Sequence, residues 1–536
     1  MNRRDLLKAS LLGGAAALTT ANAQPGAAPD AGAKPKSIDL PFEWSEATFA
    51  QLQAAMSSSK LTSEQLTKEY LRRIEAIDPK LHSMIAVNGE APAEAKALDA
   101  ERKQKGARGP LHGIPIVVKD NIETAGKLGC TAGSLALEGV ACDDAFIVAK
   151  LKVAGAVILG KSNLSEWANI RSSRSISGWS AKGGLCKNPY SLDRSALGSS
   201  SGSGAATAAN LCAGSIGTET NGSIIAPSSV HACVGLKPTV GLVSRTGIVP
   251  ISPTQDTAGP ICRTVTDAAT LLNVIAAVDN NDAATKVKDR TQTDYLAALK
   301  PDALKGAKLG VMRKLVGGNE QVTKLFDAAL EVLKNQGATF VDVELPDPGE
   351  AQMDLLLFEL KAAMADYLGK HRTASPHKSL KDLIAFNEKN AEKEMPWFRQ
   401  ELFERAEKKG PLTDPAYLKA KKACADASRT KGIDALVKKH KLTALVGAAF
   451  GPSYNIDLLN GDPSFPGNDG YGGSPAAMAG YPSISVPMGD ALGLPVGLLF
   501  CGPAWTEAKL LSYAFAYEQV SPKRRIPGFH ETIPLP

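Results

Sequence analysis

The spacing of apolar and polar positions changes character several times along this chain of 536 residues. In "TSEQLTKEYLRRIEAID", Leu66, Tyr70, Ile74 and Ile77 recur at helical spacing behind a capping-box pattern of Thr62 and Gln65. A second, charged helix is predicted through "APAEAKALDAERKQ". "HGIPIVVKDN" holds a short apolar run at 114–118 that ends in Lys119 and Asp120, as a buried strand would. A helix around 143–154 and a strand over 156–159 follow, with Gly160, Lys161 and Ser162 opening the next loop. From about 195 to 265 the chain carries few charges, and Gly, Ser and Thr alternate with short apolar runs. Further on come "KLGVM", a helix, "ATFVDVEL", a charged helical stretch at about 352–440 and "LTALVGAAF". A Gly/Pro/Asp-rich loop at 451–474 and the strands "SISVP" and "PVGLLF" complete the pattern. Such alternation predicts one large α/β sandwich with a helical elaboration in its second half.

Composition agrees, since 44% hydrophobic residues are enough for a large core. The N-terminus stands apart. Arg3 and Arg4, a mild Gly/Ala-rich apolar stretch and an A-x-A pattern at Ala21, Asn22 and Ala23 resemble a twin-arginine signal peptide over 1–23. The Pro/Ala/Gly-rich residues 24–40 read as a linker, and 41–536 as a single folded domain. The expectation is a periplasmic or otherwise exported protein that meets the twin-arginine export machinery as a precursor and has no stable membrane insertion. Of the formal charge of +6, Arg3, Arg4 and Lys8 against Asp5 account for +2, leaving +4 without a dense basic tract. Nucleic acid is therefore not the indicated partner. The eight cysteines show no C-x-x-C spacing, which speaks against zinc, and Cys212, Cys233 and Cys262 read as buried thiols.

Two motifs invite familiar chemistry and fail on context. "GAVILGKS" fits the G-x-x-x-x-G-K-S phosphate loop, but Ala156, Val157, Ile158 and Leu159 are themselves the strand, and extended backbone cannot wrap a phosphate. "GSSSG" fits G-x-S-x-G around Ser200, yet the preceding "CKNPYSLDRSAL" is too polar and turn-rich for the buried strand of a nucleophile elbow. More informative is the span 196–244, where two Gly/Ser loops flank a small-residue helix. Gly222 and Ser223, beside Thr220 and Asn221, can present several backbone N–H groups together, as an oxyanion hole requires.

With these stretches in place, the sequence resembles the amidase signature family over nearly all of the chain after the linker. The family's GGSSGGS corresponds to "LGSSSGS", its TDTGGSIR to "TETNGSII", and its GIPI-xx-KD to "GIPIVVKD". "NPYSLDRSALGSSSGSG" and "KSLKDLIAFN" carry a closer likeness to bacterial peptide amidases. The resemblance implies a large mixed twisted sheet sandwiched between helices and a Lys–Ser–Ser triad of Lys119, Ser199 and Ser223. It also implies an oxyanion hole over Thr220, Asn221, Gly222 and Ser223, a cis peptide before Ser199, and no metal or cofactor. The implied substrate is a small-molecule or peptide amide, with a C-terminal carboxamide hydrolysed and ammonia released. Glu219 departs from the usual Asp, Asn221 from a Gly, and Ile225 from the common Arg; asparagine's tolerance of unusual backbone angles would preserve the hole.

That mechanism makes a physical demand. A free lysine, with pKa about 10.4, is neutral in only about one copy in 2,500 at pH 7. Serving as a base near neutrality requires lowering by about three units, or roughly 4 kcal/mol, through burial. Asp120 must then point away from Lys119, because an ion pair would raise the amine's pKa. The alternatives are a general acylamide, aryl-amide or lactam hydrolase, the glutaminase component of a tRNA-dependent amidotransferase, and an exported solute-binding protein with a degenerate site.

Overall fold

Eleven strands hydrogen-bond into one mixed sheet in the computed structural model, which describes residues 40–287, 290, 293–463 and 471–533. Residues 1–39, where the sequence leads one to expect a signal peptide and most of a linker, thus lie outside the described residues. From edge to edge the strands are Met84–Val87, Val157–Ser162, Pro115–Lys119, Gly214–Glu219, Thr257–Cys262 and Val234–Lys237, then Ser483–Ala491, Leu494–Cys501, Ala444–Ala448, Lys308–Val311 and Thr339–Asp342. Parallel pairing holds Pro115–Lys119 between Val157–Ser162 and Gly214–Glu219, while the centre of the sheet is antiparallel. Helices cover both faces. Along Gly214–Glu219 a Cβ at Gly214 would approach Leu271 of the helix Val265–Ile275 at 3.5 Å. One residue on, the Ser215 hydroxyl donates to the Ser203 carbonyl of the helix Ser201–Ala208 at 3.0 Å. Successive strand residues point to opposite faces, so these two helices lie on opposite sides of the sheet.

The N-terminal periodicity is realised directly. Helix Ser63–Leu81 starts at a complete capping box of Thr62 and Gln65, and buries Leu66, Tyr70, Ile74 and Ile77. The charged segment forms Ala91–Lys105, and the helix around 143–154 is Phe146–Val153. Between 351 and 440 the chain is mostly helical, beginning with Ala351–Asp366 and ending with Asp434–His440, with non-helical breaks at about 372–379, 395–400 and 408–414.

The strand expected over 156–159 needs correction. It runs Val157–Ser162, so Gly160, Lys161 and Ser162 are extended, buried backbone and not a following loop. A bulge makes the difference: Ile116 pairs with Ile158 but Val117 pairs with Gly160, so the ladder steps over Leu159 and continues. A glycine is required at 160 because a Cβ there would stand 2.4 Å from the Ala86 carbonyl oxygen of the edge strand. Lys161 is buried and donates to the carbonyls of Ile122 and Gly129. A phosphate loop is excluded by this geometry.

Candidate active site

Lys119 is the last residue of a strand whose five residues are all buried, Pro115–Lys119. Its amine lies 2.8 Å from Ser199 Oγ, 2.9 Å from Thr218 Oγ1 and 3.3 Å from the Thr218 carbonyl oxygen. Asn121 Nδ2 donates to the same threonine hydroxyl at 3.0 Å. Burial brings the lysine amine down to about 7, against the weaker upward pull of the Glu219 and Asp256 carboxylates. Asp120 turns the other way. Its Oδ2 accepts the N–H groups of Thr131 and Gly133 and the Thr131 hydroxyl, and its Oδ1 stands 3.8 Å from Lys161 Nζ. The acid next in sequence is thus committed elsewhere, and desolvation of Lys119 goes uncompensated by a direct ion pair.

The Gly198–Ser199 peptide is cis. A Cβ at Gly198 would lie 2.1 Å from Ser165 Oγ, so any larger residue there would displace that hydroxyl. The Ser199 carbonyl accepts the Ser165 N–H at 3.1 Å, which ties this loop to the segment after Val157–Ser162. Ser200, the centre of G-x-S-x-G, has a different occupation. Its hydroxyl donates to the Thr218 carbonyl at 3.1 Å and accepts the Thr218 N–H at 3.2 Å, binding the head of Ser201–Ala208 to the strand Gly214–Glu219. The residues before it form a small two-stranded ribbon, Lys187–Asn188 with Ser191–Ser195, apart from the main sheet. No nucleophile elbow is built here.

Residues 220–223 follow directly on Gly214–Glu219 and precede the short helix Ile225–Val230. The Ser200 N–H donates to the Ser223 carbonyl at 3.1 Å, so main chain joins the two serine loops. Ser199 therefore meets Lys119 through side chains, and meets the Ser223 loop through its neighbour's backbone. Among the described residues no hydrogen bond involves the Ser223 hydroxyl, and Ser223 keeps 8% of its surface exposed. Asn221 does not take a left-handed angle; the positive φ, +87°, falls on Gly222. Asparagine's backbone tolerance is thus not what accommodates the substitution. The side chain of Asn221 instead donates to Ser474 Oγ at 3.0 Å. Glu219 Oε2 accepts the N–H groups of Ile224 at 2.8 Å and Ile225 at 3.0 Å. Thr220 Oγ1 donates to Asp256 at 2.6 Å, and burial raises that carboxyl to about 6.

Thr218 and Asn121 around the lysine, and Ser474 beside Asn221, are contacts that sequence inspection did not single out. Their proximity follows from strand pairing between Val118 and Ile216 and from a return of the chain more than 200 residues later. All eight cysteines are free, and all but Cys142 are buried. Among the described residues no cluster of three or more His, Cys, Asp or Glu could hold a metal ion, and no helix is long and apolar enough to cross a membrane.

Comparison with known proteins supplies the family context. The family model described as Amidase matches residues 65–511. The crystal structure of the native peptide amidase from Stenotrophomonas maltophilia superimposes with a TM-score of 0.87 at 48% identity, covering 91% of this chain and 100% of that one. A probable amidase of Arabidopsis thaliana is 41% identical over 91% of this chain and 92% of its own length. A glutamyl-tRNA(Gln) amidotransferase polypeptide of Halorhodospira halophila is 34% identical over 91% and 98% respectively.

Proposed function

The chain belongs to the amidase family and hydrolyses amides, and from that premise we propose that it removes the C-terminal carboxamide of peptides through Lys119, Ser199 and Ser223. In this reading Ser223 Oγ attacks the amide carbonyl carbon and passes its proton to Ser199 Oγ, whose own proton moves to the neutral Lys119 amine. The N–H groups of residues 220–223 receive the developing oxyanion. Collapse of the tetrahedral intermediate breaks the C–N bond, and the returning proton leaves with ammonia. Water then attacks the Ser223 ester by the same relay and frees the peptide acid.

One observation carries the reading: a fully buried amine, lowered to about 7, sits 2.8 Å from the hydroxyl of a second serine. An amine so held is about half neutral at pH 7, where a free lysine is charged almost entirely. The peptide substrate is favoured by the 48% identity to a peptide amidase over that protein's whole length. The test is incubation, without ATP, with an N-blocked dipeptide amide and with its anilide. Ammonia released much faster than aniline supports a carboxamide-specific enzyme, and the reverse preference replaces it with an aryl-amide hydrolase.

A further inference from the structure

Glu219 and Asn221 depart from the family pattern, and both reach across to a segment that begins at Tyr471. Glutamate is one methylene longer than aspartate, and its carboxylate is shared between two elements. Oε2 holds the N–H groups of Ile224 and Ile225, while Oε1 accepts the Tyr471 hydroxyl at 3.1 Å. Asn221 Nδ2 donates to Ser474 Oγ at 3.0 Å. Gly222 follows at φ +87°, where a Cβ would lie 3.4 Å from Tyr471 Cζ.

The sequence "YGGS" at 471–474 is suited to this placement. A Cβ at Gly473 would come within 2.7 Å of the Tyr471 ring, so glycine there leaves room for the ring to fold back over its own chain. A Cβ at Gly472 would lie 2.6 Å from the Ala448 carbonyl oxygen, which accepts the Gly472 N–H at 3.1 Å. Phe450 packs against the ring at 5.9 Å between centroids. Tyr471 is thus anchored to the strand Ala444–Ala448 behind it and laid on Gly222 in front.

We infer that Tyr471 and Ser474 are positioning residues for the oxyanion segment, holding the Asn221–Gly222 peptide through Glu219 and Asn221. Glycine at positive φ has more conformational freedom than any other residue, and stabilisation of an oxyanion depends on N–H groups aimed before the charge develops. Two side-chain hydrogen bonds, Tyr471 to Glu219 and Asn221 to Ser474, restrict that freedom. The inference rests on the assignment of 220–223 as the oxyanion segment in the proposed function.

Steady-state kinetics on the amide substrate, with the rate of covalent labelling of Ser223 by a serine-directed phosphonate, tests it. Tyr471→Phe keeps the ring and deletes only the hydroxyl; it should lower kcat and the labelling rate about tenfold and leave KM within about twofold. In a Glu219→Asp background, where the shorter acid no longer reaches the ring, the same change should cost less than about twofold. Ser474→Ala with Asn221→Gly forms a second cycle of the same kind, independent of whether Glu219→Asp folds. The inference is overturned by kcat and labelling unchanged in Tyr471→Phe, by equal losses in both backgrounds, or by an effect confined to KM. Ser223→Ala serves as the separate control: turnover surviving in it defeats the site assignment itself, whatever the tyrosine does.

Discussion

Replacing Lys119 by Met should abolish turnover and yet make the folded protein harder to unfold at pH 6. The amine titrates at 10.5 when free and at about 7 in the fold, because burial disfavours its charge. Between those values the unfolded chain binds a proton that the folded chain does not, so stability rises with pH across that window. Below pH 7 both states are protonated and the whole penalty of burying a cation is present; above 10.5 it is gone. A gap of roughly three and a half pH units corresponds to roughly 5 kcal/mol at about 1.36 kcal/mol per unit. Methionine has similar length and carries no charge, but it forfeits the contacts to Ser199 Oγ, Thr218 Oγ1 and the Thr218 carbonyl. At about 1 kcal/mol each, these offset about 3 kcal/mol of the gain. The net expectation is a variant more stable by about 2 kcal/mol at pH 6, level with the parent near pH 8.5 and less stable at pH 10. Urea unfolding followed by circular dichroism at pH 6, 8 and 10 on both proteins measures it. A difference that stays constant over that range would refute a buried, deprotonated lysine, since only a titrating group produces the crossover.

In the proposed relay the same amine sets the pH profile: kcat/KM should rise along a limb with a midpoint of about 7, since such a base works only when deprotonated. Asp256 raises the lysine's pKa, so Asp256→Asn should carry that limb to lower pH; a limb that stays in place would uncouple the two groups. Ser200→Ala removes both ties to Thr218 and should lower stability by about 2 kcal/mol while leaving substantial turnover. Ser223→Ala should do the opposite, with normal unfolding and no detectable ammonia release. Gly198→Ala should lower the melting temperature, because the added Cβ would stand 2.1 Å from Ser165 Oγ and push that hydroxyl off the Gly178 N–H; thermal melts check it.

The fold was legible wherever side-chain period and burial coincide. Helix Ser63–Leu81 could be read from four apolar positions and its cap because one face is buried and the other solvated. Pro115–Lys119 showed as an uninterrupted apolar run because, with a neighbour on each edge and a helix over each face, it exposes nothing. Val157–Ser162 was cut short because Gly160 and Lys161 read as a loop opening. What extends the strand through them is a bulge against Ile116–Val117 and the close approach of Ala86, both of which depend on other parts of the chain. The order of the eleven strands lay beyond local pattern for the same reason.

The candidate site divides along a related line. Lys119, Ser199 and Ser223 sit in short apolar or glycine- and serine-rich stretches whose composition follows from a buried strand end and from tight turns beside it. Such constraints leave a mark in the sequence itself. The partners that tune the site leave none: Thr218 and Asn121 are ordinary polar residues until strand pairing brings them to the amine, and Tyr471 lies 252 residues from the carboxylate it binds. Asn221 shows how the two kinds of information differ. Read locally, it is a substitution to be excused by backbone angles; in three dimensions its φ is not positive and its amide is spent on Ser474. A departure from a family's pattern is therefore best judged by what the new side chain touches, and here Glu219 and Asn221, just before and within residues 220–223, touch the same distant segment.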